Sequence, residues 1–303
     1  MRNRQVIATD CVDLEVVLCD DGSRTLRKIS TGTTWHSESG ALAETELVFL
    51  VNSGVVDRLS RLQPTRVLEI GFGTGLNFWT TASTALIAHQ SEPSTALEPS
   101  TASALSSDYS RSLLLDYISV EPNWLSADLI DQLAYRHLDA CQPAYDLFKA
   151  KLFGAGTSEA GVDKSYLKKG SDPLEASDLS RYLVSPDRIR PLFQIASRAA
   201  GAGPVTIKII HDLDVLCFEN RDEDRFDAIY HDPFSPEVAP ELWSLELFQR
   251  LRQMLRGRGR LVTYCVKSEI QRRLRVAGFE VEKRRGPPGG KREVMVAHAV
   301  EPT

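Results

Sequence analysis

A short apolar strand followed by a glycine-rich turn constrains the fold of this chain most. Thr65-Arg-Val-Leu-Glu-Ile70 has the pattern of a buried strand, and glycines follow at positions 71, 73 and 75. Glycine has no Cβ, so the backbone can turn sharply there and approach a ligand closely. The spacing differs from G-x-G-x-x-G, and no Lys-Ser or Lys-Thr pair follows as in a P-loop. Taken alone, the motif is also compatible with a plain strand-to-helix turn.

Predicted strands and helices alternate along most of the remaining sequence. This order is typical of a mostly parallel sheet covered by helices on both faces. We therefore predict a Rossmann-like α/β domain over residues 63–303, closed by a C-terminal antiparallel hairpin, after an N-terminal extension over residues 1–62. The extension begins with a β-hairpin around Asp21-Gly22, a strong tight-turn signal. The predicted strands span 14–18, 25–29, 113–120, 205–210, 226–230, 259–265, 279–284 and 293–297, and the predicted helices span 76–90, 124–138, 242–255 and 268–277.

Two segments look like surface insertions in the α/β domain. Residues 81–110 are rich in Ser, Thr and Ala and contain a near-repeat of Glu-Pro-Ser-Thr-Ala. The second insertion runs from about 145 to 200, and its residues 150–180 are rich in Gly, Ser, Lys and Asp. The composition of the first segment cannot form a core of its own, so we assign no chemistry to residues 81–110.

The distribution of charge is uneven, although the net charge is only −5. Fourteen Lys or Arg residues lie between 249 and 292, against three Glu. This basic segment is either the footprint of a polyanionic partner or a solvated surface without one. The sequence contains no apolar run long enough to span a membrane and no secretory signal. We therefore expect no membrane contact. The five cysteines form no C-x-x-C pair, so we also expect no bound metal and a location in the reducing cytoplasm.

Acidic residues stand at three predicted strand ends, where ligands bind in parallel sheets. Glu69 precedes the glycine turn, where its carboxylate can act on a ligand amine directly or through water. Glu121 can accept hydrogen bonds from both hydroxyls of a ribose, and Asp212 from an adenine amine. Together these acids favour a class I S-adenosylmethionine-dependent methyltransferase. A nicotinamide-dinucleotide enzyme is the alternative, which the glycine spacing disfavours.

The fourth strand end, His231-Asp-Pro-Phe-Ser-Pro236, lies where a methyl acceptor would meet the cofactor. Asp232 can accept a hydrogen bond from an acceptor amine and take its proton. Phe234 and Trp243 are candidates for the wall of a pocket for a planar base, although helix packing also explains Trp243. We interpret His231 as a neighbour rather than a base.

Five blocks of sequence resemble the MnmC family of tRNA wobble-uridine methyltransferases, in its methyltransferase domain and its stand-alone form MnmD. The blocks are Ser39-Gly-Ala-Leu-Ala-Glu-Thr-Glu-Leu-Val-Phe49, Leu68-Glu-Ile-Gly-Phe-Gly-Thr-Gly-Leu-Asn-Phe78, Ile118-Ser-Val-Glu121, Asp232-Pro-Phe-Ser-Pro-Glu-Val-Ala-Pro-Glu-Leu-Trp243, and Ala277 to Gly286 with Gly290-Lys-Arg-Glu-Val-Met295. The likeness runs from about residue 13 to 298.

The resemblance implies methylation of the exocyclic amine of 5-aminomethyl-2-thiouridine at the tRNA wobble position, which gives 5-methylaminomethyl-2-thiouridine. It implies that Asp232 is the catalytic acid/base and that the anticodon stem-loop contacts the basic segment, here 250–292. The residues expected to hold S-adenosylmethionine are Glu69, Gly71, Gly73, Gly75, Asn77, Glu121 and Asp212, and those expected to contact substrate are Phe234, Trp243, Lys291 and Arg292.

Bifunctional members of this family carry a flavin-dependent oxidase domain after the methyltransferase. This sequence stops shortly after Lys291-Arg-Glu293, so we expect no oxidase and no FAD here, and we expect the aminomethyl substrate to come from other enzymes. Two alternatives remain open: a methyltransferase for a protein or small-molecule amine, and a non-catalytic binding protein on the same fold. The sequence predicts no oligomeric state.

Overall fold

A small antiparallel sheet and a short helical region precede the main sheet. The computed structural model describes residues 4–91, 113–122, 125–153, 193–198, 202–210 and 224–300. The small sheet has the order β1 (Val6–Ala8), β2 (Leu14–Leu18), β3 (Arg24–Lys28). The predicted hairpin around Gly22 is present, whereas β1 has only three residues and gave no pattern in the sequence. The region that follows consists of α1 (Ala41–Glu44), a π-helical segment (Thr45–Val51) and α2 (Val55–Ser60).

Among the described residues, the main sheet has eight strands in the order β10-β11-β9-β8-β4-β5-β7-β6. The five strands β9, β8, β4, β5 and β7 are parallel, and β6, β11 and β10 add antiparallel edges. The predicted α/β class with a C-terminal antiparallel hairpin is thus confirmed, and the order reverses between β4 and β8. The strands are β4 (Thr65–Ile70), β5 (Leu115–Val120), β6 (Phe193–Arg198), β7 (Ala202–Ile210), β8 (Phe226–His231), β9 (Leu255–Thr263), β10 (Phe279–Arg285) and β11 (Glu293–Ala299).

Helices cover both faces of the sheet and form one buried cluster on each. One cluster joins the N-terminal extension, α3 (Leu76–Gln90) and α5 (Gln142–Phe153) to the sheet. The other joins α6 (Leu245–Met254) and α7 (Ser268–Val276) to the opposite face. The helix α4 (Ala127–Gln132) lies between β5 and α5 in the chain. None of the helices in the described ranges is long and apolar enough to cross a membrane.

The first predicted insertion begins too early. Residues 81–90 are the second half of α3, not part of a loop. Their small polar side chains are compatible with a packed helix because the hydroxyls bond to backbone carbonyls four residues back: Thr81 to Asn77 at 2.7 Å and Thr84 to Thr80 at 2.9 Å. The second predicted insertion is likewise too wide, since α5 extends to Phe153 and residues 193–198 form β6. The remaining parts of the two predicted insertions, 92–110 in the first and 154–192 and 199–200 in the second, lie outside the described residues.

Candidate active site

The carboxyl ends of four parallel strands lie level with one another. Ile70 of β4 is paired with His231 of β8 and with Val120 of β5, and Val120 is paired with Ile210 of β7. The chain therefore brings the next residues of these strands to one edge, on both sides of the point where the strand order reverses. In sheets of this kind, ligands bind at that edge.

The glycine turn is packed directly against the loop after β8. Gly71 has φ +93°, and a Cβ built on it would lie 2.8 Å from the carbonyl oxygen of Asp232. Gly73 has φ +52°, and a Cβ there would lie 3.2 Å from the Trp35 ring. Gly75 closes the turn just before α3. Side chains at these positions would displace the neighbouring backbone or ring, so the turn depends on glycine.

Glu121 reaches the turn from the end of β5. Its Oε2 accepts a hydrogen bond from the backbone N–H of Gly73 at 2.9 Å, and its side chain is mostly buried. The carboxylate thus lies beside the glycine turn, and its binding to a ribose stays a prediction. Asp212, the predicted counterpart two residues after β7, lies outside the described residues.

Glu69 is fully buried beneath the turn rather than open to a ligand. One carboxylate oxygen accepts from Asn77 Nδ2 at 3.0 Å and the other from Ser119 Oγ at 2.8 Å. Burial raises the pKa of Glu69 to about 7. The expected direct contact with the cofactor needs a correction, because in this structure Glu69 faces the side chains that support the site.

Asn77 connects the glycine turn to the acceptor loop. Its Nδ2 also donates to Asp232 Oδ2 at 2.9 Å, and its Oδ1 accepts from Thr45 Oγ1 at 3.0 Å. Both amide hydrogens are therefore committed to carboxylates. We expected Asn77 to hold the cofactor, whereas this placement makes it a positioning residue for Asp232.

Asp232 follows β8 and is only partly exposed. Its backbone N–H donates to the carbonyl of Ile70 at 3.0 Å, which fixes the loop against β4. Burial raises the pKa of Asp232 well above its usual range; the charge of Glu44 acts in the same direction, and the hydrogen bond from Asn77 opposes it. A carboxyl with a raised pKa is better matched to the proton of an amine than an ordinary aspartate is.

The two aromatic residues predicted to line a base pocket have different placements. Phe234 is 38% exposed and makes an edge-to-face contact with Trp35 at 5.3 Å between ring centroids. Trp243 is fully buried, and its Nε1 donates to the carbonyl of Phe234 at 2.8 Å. The prediction that Trp243 contacts substrate is therefore wrong for this structure. Trp243 instead packs on His231 and supports the loop from below. Burial lowers the pKa of His231 to about 3, so His231 is neutral.

Sequence reasoning missed the pair Trp35-His36. Trp35 lies over Gly73 and beside Phe234, so it borders both halves of the site. His36 Nε2 shares a hydrogen bond with Thr74 Oγ1 at 3.0 Å, which ties the N-terminal extension to the glycine turn. A lone aromatic residue in a polar loop after β3 gives no periodic signal, so the sequence could not have shown these contacts.

Lys291 and Arg292 follow the C-terminal hairpin loop and are exposed. The Lys291 ammonium lies 3.7 Å from the ring centroid of Tyr264, where partial desolvation lowers its pKa, and the charges of Glu44 and Asp232 oppose that shift. The ammonium group of Lys291 therefore lies beside the site, and its predicted contact with substrate stays a prediction. Glu44 and Tyr264 were not predicted, because they come from separate elements that only the fold brings together.

The basic segment 250–292 is distributed over α6, β9, α7, β10 and the loop that follows β10. Several of its side chains bind within the chain: Arg256 to Asp227 at 2.9 Å, Lys283 to Glu293 at 3.0 Å, and Arg252 to the carbonyl of Gly278 at 3.1 Å. Further exposed basic residues lie on α7 (Arg272 and Arg275) and at the hairpin (Arg285, Lys291 and Arg292). Within the described ranges, no group of His, Cys, Asp or Glu could hold a metal ion.

Comparisons with known proteins agree with this geometry. Residues 196–300 match a family described as "S-adenosyl-L-methionine-dependent methyltransferase". The chain is 29% identical over 265 residues to the "tRNA 5-methylaminomethyl-2-thiouridine biosynthesis bifunctional protein MnmC" of Azoarcus sp. (strain BH72), and 26% identical over 267 residues to the protein of that name from Thiobacillus denitrificans (strain ATCC 25259 / T1). These alignments cover 87% and 88% of this chain but only 32% and 34% of the relatives. The chain thus spans about a third of the length of the curated relatives it matches.

A solved structure supports the fold. The crystal structure of MNMC2 from Aquifex aeolicus has a TM-score of 0.58 and 20% sequence identity, and the alignment covers 97% of this chain and 74% of that one. The resemblance to the MnmC family is thereby confirmed, together with the methyltransferase fold class and S-adenosylmethionine as the cofactor of the matching family.

Proposed function

We propose that this relative of the MnmC proteins methylates the exocyclic amine of 5-aminomethyl-2-thiouridine at the tRNA wobble position, giving 5-methylaminomethyl-2-thiouridine. One observation carries the proposal: Asp232 is held by Asn77 against the glycine turn, at the strand edge where cofactor and acceptor would meet. The names of the curated relatives support a tRNA substrate. With that substrate, we propose that the reaction takes place in the cytoplasm.

The residues at the strand edge fit S-adenosylmethionine. When bound, this cofactor supplies an electrophilic methyl group on a positively charged sulfur. The turn over Gly71, Gly73 and Gly75 lets a ligand approach the backbone, and Glu121 offers a carboxylate to ribose hydroxyls. Asp212 would complete the adenosine site after β7.

Asp232 would prepare the acceptor amine. A primary amine is protonated at neutral pH, and its lone pair becomes available only after that proton is lost. Asp232 Oδ2 accepts from Asn77, which leaves Oδ1 to receive the proton. Because a methyl transfer needs an in-line approach, holding the carboxylate and the amine in fixed positions supplies most of the catalysis.

Aromatic and basic side chains would bind the RNA around this centre. Phe234 and Trp35 offer ring surfaces to the wobble base, and base–aromatic stacking is worth roughly 1–3 kcal/mol per base. Arg285 and Arg292, at the paired ends of β10 and β11, are placed to contact backbone phosphates near the site. Phosphate contacts release counterions, so binding should weaken steeply with salt.

Methyl transfer from labelled S-adenosylmethionine to tRNA tests the proposal. The tRNA comes from cells blocked at the aminomethyl stage, and the variants are Asp232→Asn and the matched control Asp146→Asn, an exposed aspartate on α5. We expect label on the tRNA with wild type and the control, and a loss of at least a hundredfold with Asp232→Asn. Protein that binds the cofactor but leaves this tRNA unlabelled would refute the tRNA substrate and favour a protein or small-molecule amine.

A further inference from the structure

Glu44 is a second acidic side chain beside the acceptor loop. It is 6% exposed, and its Oε2 accepts from the backbone N–H of Ser37 at 2.8 Å. The next residue, Thr45, donates to the same Asn77 that holds Asp232. Glu44 thus directly precedes the residue that bonds to Asn77, and its charge acts on Asp232.

Each of the two carboxylates has one oxygen committed to positioning and one that is available. Glu44 Oε2 accepts from Ser37 and Asp232 Oδ2 accepts from Asn77. Among the described residues, Glu44 Oε1 and Asp232 Oδ1 have no hydrogen-bond partner. Burial raises the pKa of Glu44, and the charge of Glu44 adds to the raised pKa of Asp232. Such a pair of acids is complemented best by a positive charge between them.

The Lys291 ammonium lies close enough to Glu44 and Asp232 for their charges to act on it. The Lys291 ammonium lies over the Tyr264 ring at 3.7 Å, and the Tyr264 hydroxyl donates to the carbonyl of Pro233 at 2.8 Å, next to Asp232. Within the described part of the chain, Lys291 makes no ion pair with Glu44 or Asp232, although its charge acts on both. The available carboxylate oxygens therefore remain open to an incoming cation.

We propose that Glu44 and Asp232 together receive the substrate amine as an ammonium ion, with Glu44 holding it while Asp232 takes its proton. This inference rests on the proposed function and names a further residue of that site. One N–H bond of the ammonium breaks and a bond forms from that proton to Asp232 Oδ1. The freed lone pair then forms the N–C bond to the methyl group as the C–S bond breaks, and its electrons remain on the sulfur.

The pair of acids also defines which wobble substituents are accepted. A 5-aminomethyl group brings one positive charge to two carboxylates, whereas a 5-methyl group brings none and leaves them without a partner. A 5-substituent that ends in a carboxylate would meet two like charges and be repelled. Glu44 is therefore expected to select for amine-bearing uridines before any chemistry takes place.

Binding of two matched anticodon stem-loops tests the role of Glu44. The stem-loops differ only at the wobble base, which carries either a 5-aminomethyl or a 5-methyl group, and affinity is measured by fluorescence anisotropy at constant salt. Wild type is compared with Glu44→Gln and with Glu46→Gln, an exposed glutamate two residues away. A glutamine can still accept from Ser37, so the local fold is maintained, and thermal unfolding of each variant verifies this.

We expect wild type and Glu46→Gln to prefer the amine-bearing stem-loop, and Glu44→Gln to lose about tenfold or more of that preference. Glu44→Asp should restore part of it, because the charge is kept. A preference that is unchanged in Glu44→Gln would overturn the inference even where wild-type methyl transfer, measured on the same samples, is normal. Absence of both methyl transfer and preference in the wild type would instead refute the proposed function, and this inference with it.

Discussion

Replacing the buried Glu69 by glutamine should stabilise the protein at neutral and alkaline pH but not at acidic pH. Glu69 is fully buried and its pKa is raised from 4.5 to about 7 in the folded state. As pH rises through 4.5, the unfolded chain loses this proton while the folded chain keeps it. The free energy of unfolding therefore falls until about pH 7 and is constant above that. The rise of the Glu69 pKa from 4.5 to about 7 corresponds to roughly 3 kcal/mol in the free energy of unfolding.

Glutamine keeps the shape and the hydrogen bonds of Glu69 but cannot ionise. Its carbonyl oxygen can accept from Asn77, and the Ser119 hydroxyl can rotate to accept from its amide. Urea denaturation at several pH values between 4.5 and 8.5 gives the free energy of unfolding of each protein. Glu280→Gln, on the exposed side of β10, serves as the control.

We expect wild type and Glu69→Gln to be about equally stable near pH 4.5, and the variant to be more stable by about 3 kcal/mol at pH 8. Groups that do not interact with Glu69 titrate alike in both proteins, so their contributions cancel in the difference. Asp232 is an exception, because the charge of Glu69 raises its pKa, and the loss of that charge favours the variant at high pH in the same direction. A difference that does not change with pH, or a variant that is less stable at pH 8, would show that Glu69 is not a desolvated carboxyl in the folded protein.

Four further results are expected. The rate of methyl transfer should fall as the pH is lowered, with an apparent pKa well above the usual range of a carboxyl, because the reaction requires ionised Asp232 and burial raises the pKa of that group. Glu44→Gln should move this apparent pKa to a lower value, since the charge of Glu44 helps to raise the pKa of Asp232. Gly71→Ala, at φ +93° and with its Cβ 2.8 Å from a carbonyl oxygen, should cost about 2 kcal/mol or more in urea denaturation; a change below 0.5 kcal/mol would contradict the geometry. Trp35→Ala should weaken stem-loop binding by roughly 1–3 kcal/mol, measured by anisotropy. Arg292→Ala should lower the slope of log affinity against log salt by about one, whereas an unchanged slope would remove Arg292 from the phosphate contacts.

The parts of the site that lie on one strand–turn unit could be predicted from the sequence. The glycine turn, Glu121 and Asp232 each follow a recognisable apolar strand, and the level ends of parallel strands bring them together. The strand positions needed only short-range patterns of apolar residues and turn signals. These features depend on a few adjacent residues, which is why sequence reasoning located them.

Contacts between distant segments could not be predicted. Glu44, Trp35 and Tyr264 come from α1, from the loop after β3 and from the segment after β9, and none carries a local pattern that indicates the site. The burial of Glu69 and Trp243 depends on how the loops pack above and below them, so their expected direct contacts needed correction. The start of the first insertion was misplaced because composition alone does not show that hydroxyls in α3 bond to its own backbone.

Nucleoside analysis of the reaction product tests the central claim most directly. Transfer RNA that carries 5-aminomethyl-2-thiouridine is incubated with the protein and S-adenosylmethionine, digested to nucleosides and analysed by mass spectrometry at several times. We predict that 5-aminomethyl-2-thiouridine is converted to a species heavier by one methyl group, with that methyl on the side-chain nitrogen, and that Asp232→Asn slows the conversion at least about a hundredfold while Asp146→Asn does not. A methyl group on any other atom, or conversion by Asp232→Asn at the wild-type rate, would contradict the account.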